Sequence, residues 1–150
     1  MSYTSLTYHI VFRPYASERV ITAQHADALY RYICGFVESR GSKVCKIGGM
    51  ADHIHMLVQI SAKVAVADFM RDLKTSANRF MNDNAQWFPM FRGWGKSYFA
   101  ITVSASRIPV IKSYIEHQQE HHTKRSFDDE MRMICREYGI EIDERYWLKE

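Results

Sequence analysis

Two segments in the first 60 residues alternate between hydrophobic and polar side chains, and each alternation predicts a β-strand. Residues 4–13 form the first segment, in which His9 lies on the more polar side. Residues 53–60 form the second, and its apolar side consists of Ile54, Met56, Val58 and Ile60. His53 and His55 therefore project together from the opposite side, because successive side chains in a strand point to opposite faces.

Helical spacing of apolar residues predicts four helices elsewhere in the chain. They are expected over residues 22–40, 61–81, 107–124 and 126–139, each beginning at or just after a Ser or Thr that can cap it. Two more strands are predicted over residues 43–47, where Gly48-Gly49 ends the strand, and 98–103. Residues 82–95 are expected to form a loop, and residues 140–147 an extended segment packed on the body.

The predicted order is β-α-β-β-α-β followed by two helices, which is typical of a ferredoxin-like α+β fold. In this fold a four-stranded antiparallel sheet carries two helices on one face. His9, His53 and His55 are then expected to project from the other face. The 150 residues are predicted to form one domain, with residues 126–150 as a C-terminal helix and tail packed on it.

Composition is that of an ordinary globular protein, with 47% hydrophobic and 25% charged residues. No apolar stretch is long enough to span a bilayer, and the chain does not open with a signal-peptide pattern. The three cysteines are odd in number and lack CxxC spacing, which argues against a disulfide framework. These features indicate a cytoplasmic protein that does not enter the membrane.

Charge is unevenly distributed, although the formal net charge is only +3. Residues 63–125 carry ten basic and five acidic side chains, whereas residues 126–150 carry four and eight. A basic middle favours an anionic partner, and the alternative is a solvated helix face without a partner. The candidate phosphate contacts on the second helix are Arg71, Lys74 and Arg79.

Aromatic and basic residues also alternate in the predicted loop. Arg92 and Lys96 lie among four aromatic side chains, Trp87, Phe88, Phe91 and Trp94. Aromatic rings beside cations suit the stacking of unpaired bases. The alternative is that these rings fill a core or a dimer interface.

The third predicted helix adds a candidate nucleophile to the histidine pair. Two neutral imidazoles side by side make half of a divalent-metal site, and the alternative is two histidines at a wet sheet surface. Tyr114 can attack phosphorus if a cation lowers its pKa or stabilises the transition state. Gln118 lies four residues later on the same helix face and is a candidate third ligand. Because no ligand in this set is a carboxylate, the ion is expected to keep its positive charge.

Several motifs together resemble the small single-tyrosine transposases of bacterial insertion sequences, which are HUH endonucleases, and their repeat-associated relatives. The motifs are Tyr8-His9-Ile10-Val11-Phe12, Ala51-Asp52 before His53-Ile54-His55, Leu73-Lys74, Trp94-Gly95, and Tyr-Ile-x-x-Gln-x-x-His-His over residues 114–122. The tail over residues 126–147 is similar as well. The resemblance covers most of the chain.

This resemblance implies an enzyme that cuts and rejoins single-stranded DNA. Tyr114 is then the nucleophile, which forms a 5′-phosphotyrosine and leaves a free 3′-hydroxyl. His53 and His55 are implied to hold Mg²⁺ or Mn²⁺, and Gln118 to complete the site. Family members are typically homodimers that bind hairpin DNA, and the tyrosine often acts on the partner's histidine pair. The protein is expected at the nucleoid when it is bound to DNA.

Two positions depart from the family pattern. Arg13 stands where the family has a Lys/Arg-rich stretch, so it is the basic residue implied to contact DNA there. His117 stands before Gln118, where relatives commonly have Asn. The resemblance assigns no role to His117, His121 or His122, and His9 is interpreted as a structural histidine or an outer partner of the metal site.

Two other classes of function compete with a transposase or a domesticated hairpin nuclease. The first is a non-catalytic module that binds single-stranded nucleic acid on the open sheet face, as ferredoxin-like RNA-binding domains do. That face is expected to present three histidines and no aromatic pair, which disfavours this class. The second is a structural zinc site, for which the sequence lacks cysteines at zinc-binding spacing.

Overall fold

Four antiparallel strands form one sheet in the order β2-β3-β1-β4. A computed structural model describes residues 1–118, 120 and 125–149 of the chain. Its strands are β1 (Thr7–Phe12), β2 (Lys43–Met50), β3 (His53–Gln59) and β4 (Phe99–Thr102). Its helices are α1 (Ala26–Ser39), α2 (Val66–Asp83), α3 (Ile108–Glu116) and α4 (Phe127–Glu137). The predicted ferredoxin-like α+β architecture is confirmed.

One face of the sheet, the core face, carries the apolar residues predicted from the alternation. Ile10 and Phe12 of β1 lie beside Ile54, Met56 and Val58 of β3. Helices α1 and α2 cover this face with their own apolar stripes, which include Leu29, Ile33, Val37, Phe69, Leu73 and Ala77. All these side chains are 2% exposed or less, so this layer forms the main hydrophobic core.

The opposite face, the site face, is also covered. Leu57 packs against Ile111 and Ile115 of α3. Val11 and Ile101 pack against α4, through Phe127, Met131 and Ile134. His9, His53 and His55 lie on this face and are 3%, 0% and 0% exposed. The alternative of two histidines at a wet sheet surface is therefore wrong.

The prediction that Gly48-Gly49 ends a strand is wrong, because β2 continues to Met50. Both glycines lie beside close neighbours. A Cβ atom on Gly48 would stand 3.2 Å from Ile115 of α3, and one on Gly49 would stand 2.3 Å from the carbonyl oxygen of His53. Glycine here allows the strand to approach its neighbours rather than interrupting it.

Two helices begin later than predicted because their expected caps make other contacts. The Thr22 hydroxyl donates to the Trp87 carbonyl oxygen at 3.0 Å, and α1 begins at Ala26. The Ser61 hydroxyl accepts a bond from the Lys63 backbone N–H in a turn, and α2 begins at Val66. The cap predicted at Ser126 is confirmed, since its hydroxyl accepts from the Asp129 N–H at 3.1 Å.

The aromatic loop over residues 84–97 belongs to the core rather than to an exposed binding surface. Phe88 is 2% exposed, Trp87 stacks on His25 with ring centroids 4.9 Å apart, and Trp94 packs on Phe12 at 5.1 Å.

The C-terminal tail differs from the extended segment predicted over 140–147, because residues 144–148 form turns. Trp147 anchors the tail by donating to Asp128 of α4 at 2.5 Å. Within the described residues, no helix combines the length and apolarity that crossing a bilayer requires.

Candidate active site

The site is built around the two imidazoles of β3. His53 and His55 project from the same side of the strand, and their ring centroids lie 5.1 Å apart. Strand pairing holds His55 on both sides, opposite Val11 of β1 and Gly48 of β2. Because β3 is an interior strand, its backbone fixes the two rings on a rigid base.

Each imidazole is bonded through its Nδ1 atom to a neighbour outside the centre of the site. The Nδ1 of His53 lies 2.7 Å from Oδ1 of Asp52. The Nδ1 of His55 lies 2.8 Å from Nε2 of His9. The two Nε2 atoms face one carboxylate oxygen, Oε1 of Glu130, at 3.3 Å from His53 and 3.2 Å from His55.

Glu130 is the functional candidate that the sequence interpretation missed. It lies on α4 and is 0% exposed, and its second oxygen, Oε2, accepts bonds from Gln118 Nε2 at 3.0 Å and from the Tyr114 hydroxyl. A signal was available in the helix pattern. Glu130 falls between Phe127 and Met131 on the buried stripe of α4, and an acidic residue on such a stripe needs partners.

Tyr114 reaches the site from α3, and Gln118 reaches it from the second residue after that helix ends. Of the helix predicted over 107–124, α3 covers Ile108–Glu116, His117 forms a turn, and Gln118 and Glu120 are again helical. Residues 119 and 121–124 of that prediction lie outside the described part of the chain. Gln118 is nevertheless 1% exposed, and its Oε1 lies 3.2 Å from Nε2 of His53. The phenol ring of Tyr114 stands edge-on to His55, with centroids 5.7 Å apart. The structure thus brings the predicted ligands and the predicted nucleophile together in one chain.

Burial and hydrogen bonding move the protonation equilibria of this cluster in opposite directions. Burial lowers the pKa of His53, but hydrogen bonds to Asp52 and Glu130 outweigh it and raise the pKa to about 9. Burial raises the pKa of Glu130, but bonds from His53 and His55 hold it far below its usual range. For His9, burial and the neighbouring His55 lower the pKa to about 3.

The pKa of Tyr114 is raised, first by burial and then by its bond to the anionic Glu130. In the arrangement described, Tyr114 is therefore a protonated phenol and Glu130 an ionised carboxylate. A phenol in this state is a poor nucleophile. Attack by Tyr114 requires added positive charge near the shared carboxylate.

The donor set fits a divalent cation. The ligand atoms of His53, His55 and Glu130 all lie within 4.8 Å of one another, and all three side chains are buried. Two imidazoles and a carboxylate are ordinary ligands of divalent metals, and among the described residues the group contains no cysteine. The expected ligand set without a carboxylate stays a prediction, and the geometry adds a second candidate set in which Glu130 would offset one positive charge of a bound ion.

The predicted basic DNA contacts lie away from this cluster. Arg71 pairs with Asp68 and Asp72, and Arg92 pairs with Glu18 at 2.8 Å. On α2, Lys74 donates to the carbonyl oxygens of Gly95 and Ser97, while Arg79 is exposed, as is Lys96 in the loop. Because α2 covers the core face, its basic residues are separated from the histidine pair by the sheet.

Two other predicted positions have simple local settings. Arg13 is 4% exposed and donates to the Ser17 hydroxyl at 2.5 Å, so it offers little surface for DNA. His117 is exposed, and its Nδ1 donates to the Ser113 carbonyl oxygen at 2.7 Å, one turn back in α3. His121 and His122 lie outside the described residues, so their open roles stay open.

A cleft of about 600 Å³ adjoins the cluster between α1, the edge strand β2 and the end of α3. Gly48 and Gly49 line it, and its charged lining consists of two cations, Arg19 and Lys46, and three carboxylates, Asp27, Glu116 and Glu120. Lys46 pairs with Glu116 at 3.2 Å. Gln118 lines the cleft and also bonds to Glu130, so it connects the cleft to the buried group. His53, His55 and Glu130 do not line the cleft, so the site and the cleft are neighbours linked through Gln118.

Comparison of the sequence with known families and proteins gives consistent matches. The sequence model of the family described as "Transposase IS200 like" matches residues 2–118. The ISDra2 transposase TnpA of Deinococcus radiodurans is 29% identical over 119 residues, which are 77% of this chain and 85% of the relative. The transposase for insertion sequence element IS200 of Salmonella typhimurium is 28% identical over 117 residues, covering 75% of this chain and 76% of the relative.

Solved structures show the same fold. A protein of Deinococcus radiodurans assigned as a transposase superposes with a TM-score of 0.62 at 25% identity, covering 79% of this chain and 95% of its own. A REP-associated tyrosine transposase, solved bound to a REP hairpin, superposes with a TM-score of 0.61 at 11% identity. That alignment covers 81% of this chain and 74% of the solved one and supports the fold alone. Glu130 lies beyond residue 118, where the family match ends.

Proposed function

The chain belongs to the IS200-like transposase family, and we propose that it cuts and rejoins single-stranded DNA through a phosphotyrosine on Tyr114. One observation carries this proposal. The Tyr114 hydroxyl bonds to the carboxylate of Glu130, and the same carboxylate faces the Nε2 atoms of His53 and His55. A nucleophile and a set of metal ligands therefore meet at one side chain, as phosphoryl transfer requires.

Cleavage replaces one phosphorus–oxygen bond with another. The Tyr114 oxygen forms a bond to phosphorus while the bond from phosphorus to the 3′ oxygen breaks. The 3′ oxygen leaves with the electron pair and takes up the phenolic proton by way of Glu130, so that the carboxylate is restored. The phenolic proton passes to Oε2 of Glu130, which already accepts the hydrogen bond from this hydroxyl. Religation reverses these events, so no external energy source is needed.

His53, His55 and Glu130 would hold a divalent cation, Mg²⁺ or Mn²⁺, with Gln118 at its edge. When bound, the cation supplies positive charge that stabilises the transition state and lowers the pKa of the phenol. Asp52 orients the His53 ring, and Gln118 holds Glu130. Burial of all three ligands excludes water from the reacting atoms.

We further propose that each active site is formed by a single chain. The residues that would act on the phosphate, Tyr114, His53, His55 and Glu130, are in mutual contact within one subunit. A homodimer, as is typical of the family, then carries two complete sites. Residues 126–149 belong to the same functional unit as the rest of the chain, because α4 supplies Glu130.

The partner is proposed to be single-stranded DNA with a hairpin, the kind of ligand carried by the REP-associated neighbour. The scissile strand would enter by the cleft, where Arg19 and Lys46 would exchange their present partners, Asp52 and Glu116, for phosphates of the backbone. Gln118 would lie between this strand and the ligands. Arg71, Arg79, Arg92 and Lys96 would contact only DNA that extends past the sheet.

The test uses labelled hairpin DNA with randomised single-stranded flanks, incubated with the protein and Mn²⁺. We expect a covalent protein–DNA adduct that mass spectrometry locates on the peptide containing Tyr114. Tyr114→Phe should remove the adduct, and His53→Ala should prevent cleavage while leaving much of the DNA binding. An adduct that survives Tyr114→Phe would refute the assignment of the nucleophile. Tight binding without any cleavage would favour the non-catalytic binding module.

A further inference from the structure

His9 is a buried histidine for which the proposed chemistry has no role. It lies on β1, where the register pairs it with Leu57, and alternation directs it to the site face beside His55. Its Nε2 lies 2.8 Å from Nδ1 of His55, and its ring is 3% exposed. The ring also stands edge-on to Tyr114, with centroids 6.2 Å apart.

The two histidines of the metal site differ in the partner at Nδ1. Asp52 is a carboxylate that only accepts, so it fixes a proton on Nδ1 of His53. His9 is an imidazole, which can donate or accept through Nε2 depending on its tautomer. The tautomer of His9 therefore decides whether His55 carries its proton on Nδ1 or on Nε2. A neutral His55 ring protonated on Nε2 alone would have its lone pair on Nδ1, which faces His9 and not Glu130.

We propose that His9 is a positioning residue for His55: its Nε2 accepts the Nδ1–H of His55, which orients the ring and keeps Nε2, the nitrogen that faces Glu130, as the one that would bind the cation. This inference rests on the proposed function, since it assigns His55 as a ligand. His9 itself does not touch the cation. In a site of this kind an outer partner orients the ligand ring and fixes its tautomer.

The first test reads the tautomer directly in the metal-free protein. Long-range ¹H–¹⁵N correlation spectra distinguish the protonated from the unprotonated nitrogen of each imidazole ring. We expect the signals of a His55 ring that is protonated on Nδ1, whether or not its Nε2 also carries a proton donated to Glu130. A His55 ring protonated on Nε2 alone would overturn the proposal, and no variant is needed to see it.

The second test measures Mn²⁺ affinity by calorimetry without DNA. His9→Leu removes the acceptor and should weaken Mn²⁺ binding by about 10–100-fold. His9→Gln keeps an acceptor oxygen and should recover most of this loss. Thr7→Val is the matched control, because Thr7 lies on the same strand and face, is 2% exposed, and its hydroxyl has no partner among the described residues.

Wild-type affinity in a folded His9→Leu protein would overturn the proposal, and so would a folded His9→Gln protein as weak as His9→Leu. Circular dichroism establishes that each variant is folded. If His9→Leu does not fold, the tautomer spectrum and the comparison of His9→Gln with Thr7→Val decide the question. These readouts do not involve cleavage, so failure of the proposed function, such as an adduct that survives Tyr114→Phe, is distinguished from failure of this inference.

Discussion

The core face and the site face of the sheet are both buried, yet they are stabilised in different ways. On the core face, apolar side chains of the strands pack against apolar side chains of α1 and α2. The site face encloses His9, His53, His55 and Glu130 in a continuous set of hydrogen bonds beneath α3 and α4. The same strands supply both, since alternate residues belong to alternate faces.

Burial makes a different contribution to the free energy of folding on each face of the sheet. On the core face, burial contributes stability in proportion to the apolar area removed from water. On the site face, burial costs free energy for each charged group and is tolerated because each is paired. Such an arrangement holds reactive groups in place and keeps them dry, which is a functional rather than a stabilising use of the interior.

Substitutions at two adjacent residues of β3 separate the faces most clearly, because His55 and Met56 are both 0% exposed but point to opposite faces of the sheet. His55→Gln should lower adduct formation on the order of 10³-fold or more, since it removes a proposed metal ligand that would act on the transition state. Gel quantification of the covalent adduct measures it. Activity near wild type in a folded His55→Gln protein would show that the site face is scaffold.

Met56→Ala is the matched change on the core face. It leaves a cavity in the main core beside its cross-strand partners Ile10 and Ile47 and should lower the free energy of unfolding by about 2–5 kcal/mol. Chemical denaturation measures this loss. Adduct formation per folded molecule should stay close to wild type at low temperature. Loss of activity without loss of stability would mean that the faces are not separable.

Much of this division could be predicted from the sequence, and its limits have physical causes. The alternation in residues 53–60 predicted both faces of β3, because a strand repeats every two residues. Glu130 was missed because it is 75 residues from His55 along the chain and meets it only when α4 packs on the sheet. Local pattern cannot show which helix covers which face.

Glycines and aromatic residues misled the sequence interpretation for a related reason. Gly48-Gly49 was interpreted as a strand end, but Ile115 and the His53 backbone need the space that a side chain would fill. Trp87 and Phe88 pack into the core, which resolves the two alternatives for the loop in favour of packing. The roles assigned to individual residues of the site stay predictions that the variants above test.

Metal binding should stabilise the protein through the site face alone. At a Mn²⁺ concentration 100 times the dissociation constant, binding to the folded state adds about 2.7 kcal/mol and raises the melting temperature. Glu130→Gln removes one of the three proposed ligands and should abolish most of this rise. Glu137→Gln, an exposed change on the same helix, is the control. An equal Mn²⁺-induced rise in Glu130→Gln and wild type would exclude Glu130 from the metal site.

The smallest expected effect concerns α2, on the core side. Arg79 is exposed, so Arg79→Ala should weaken DNA binding modestly and reduce the salt slope by about 1 if it contacts a phosphate. Lys74→Ala should instead lower the free energy of unfolding by about 1 kcal/mol, since Lys74 bonds to the Gly95 and Ser97 carbonyls. Fluorescence anisotropy at several salt concentrations and denaturation separate these effects. An unchanged salt slope in Arg79→Ala would remove α2 from the DNA interface.

The central claim is that one chain supplies both the nucleophile and the ligands. Mixing His53→Ala protein with Tyr114→Phe protein, after denaturation and refolding together, tests it directly, because only shared sites can combine the intact Tyr114 of one with the intact His53 of the other. The account predicts no adduct above the level of either variant alone. An adduct on the His53→Ala chain in the mixture would contradict it.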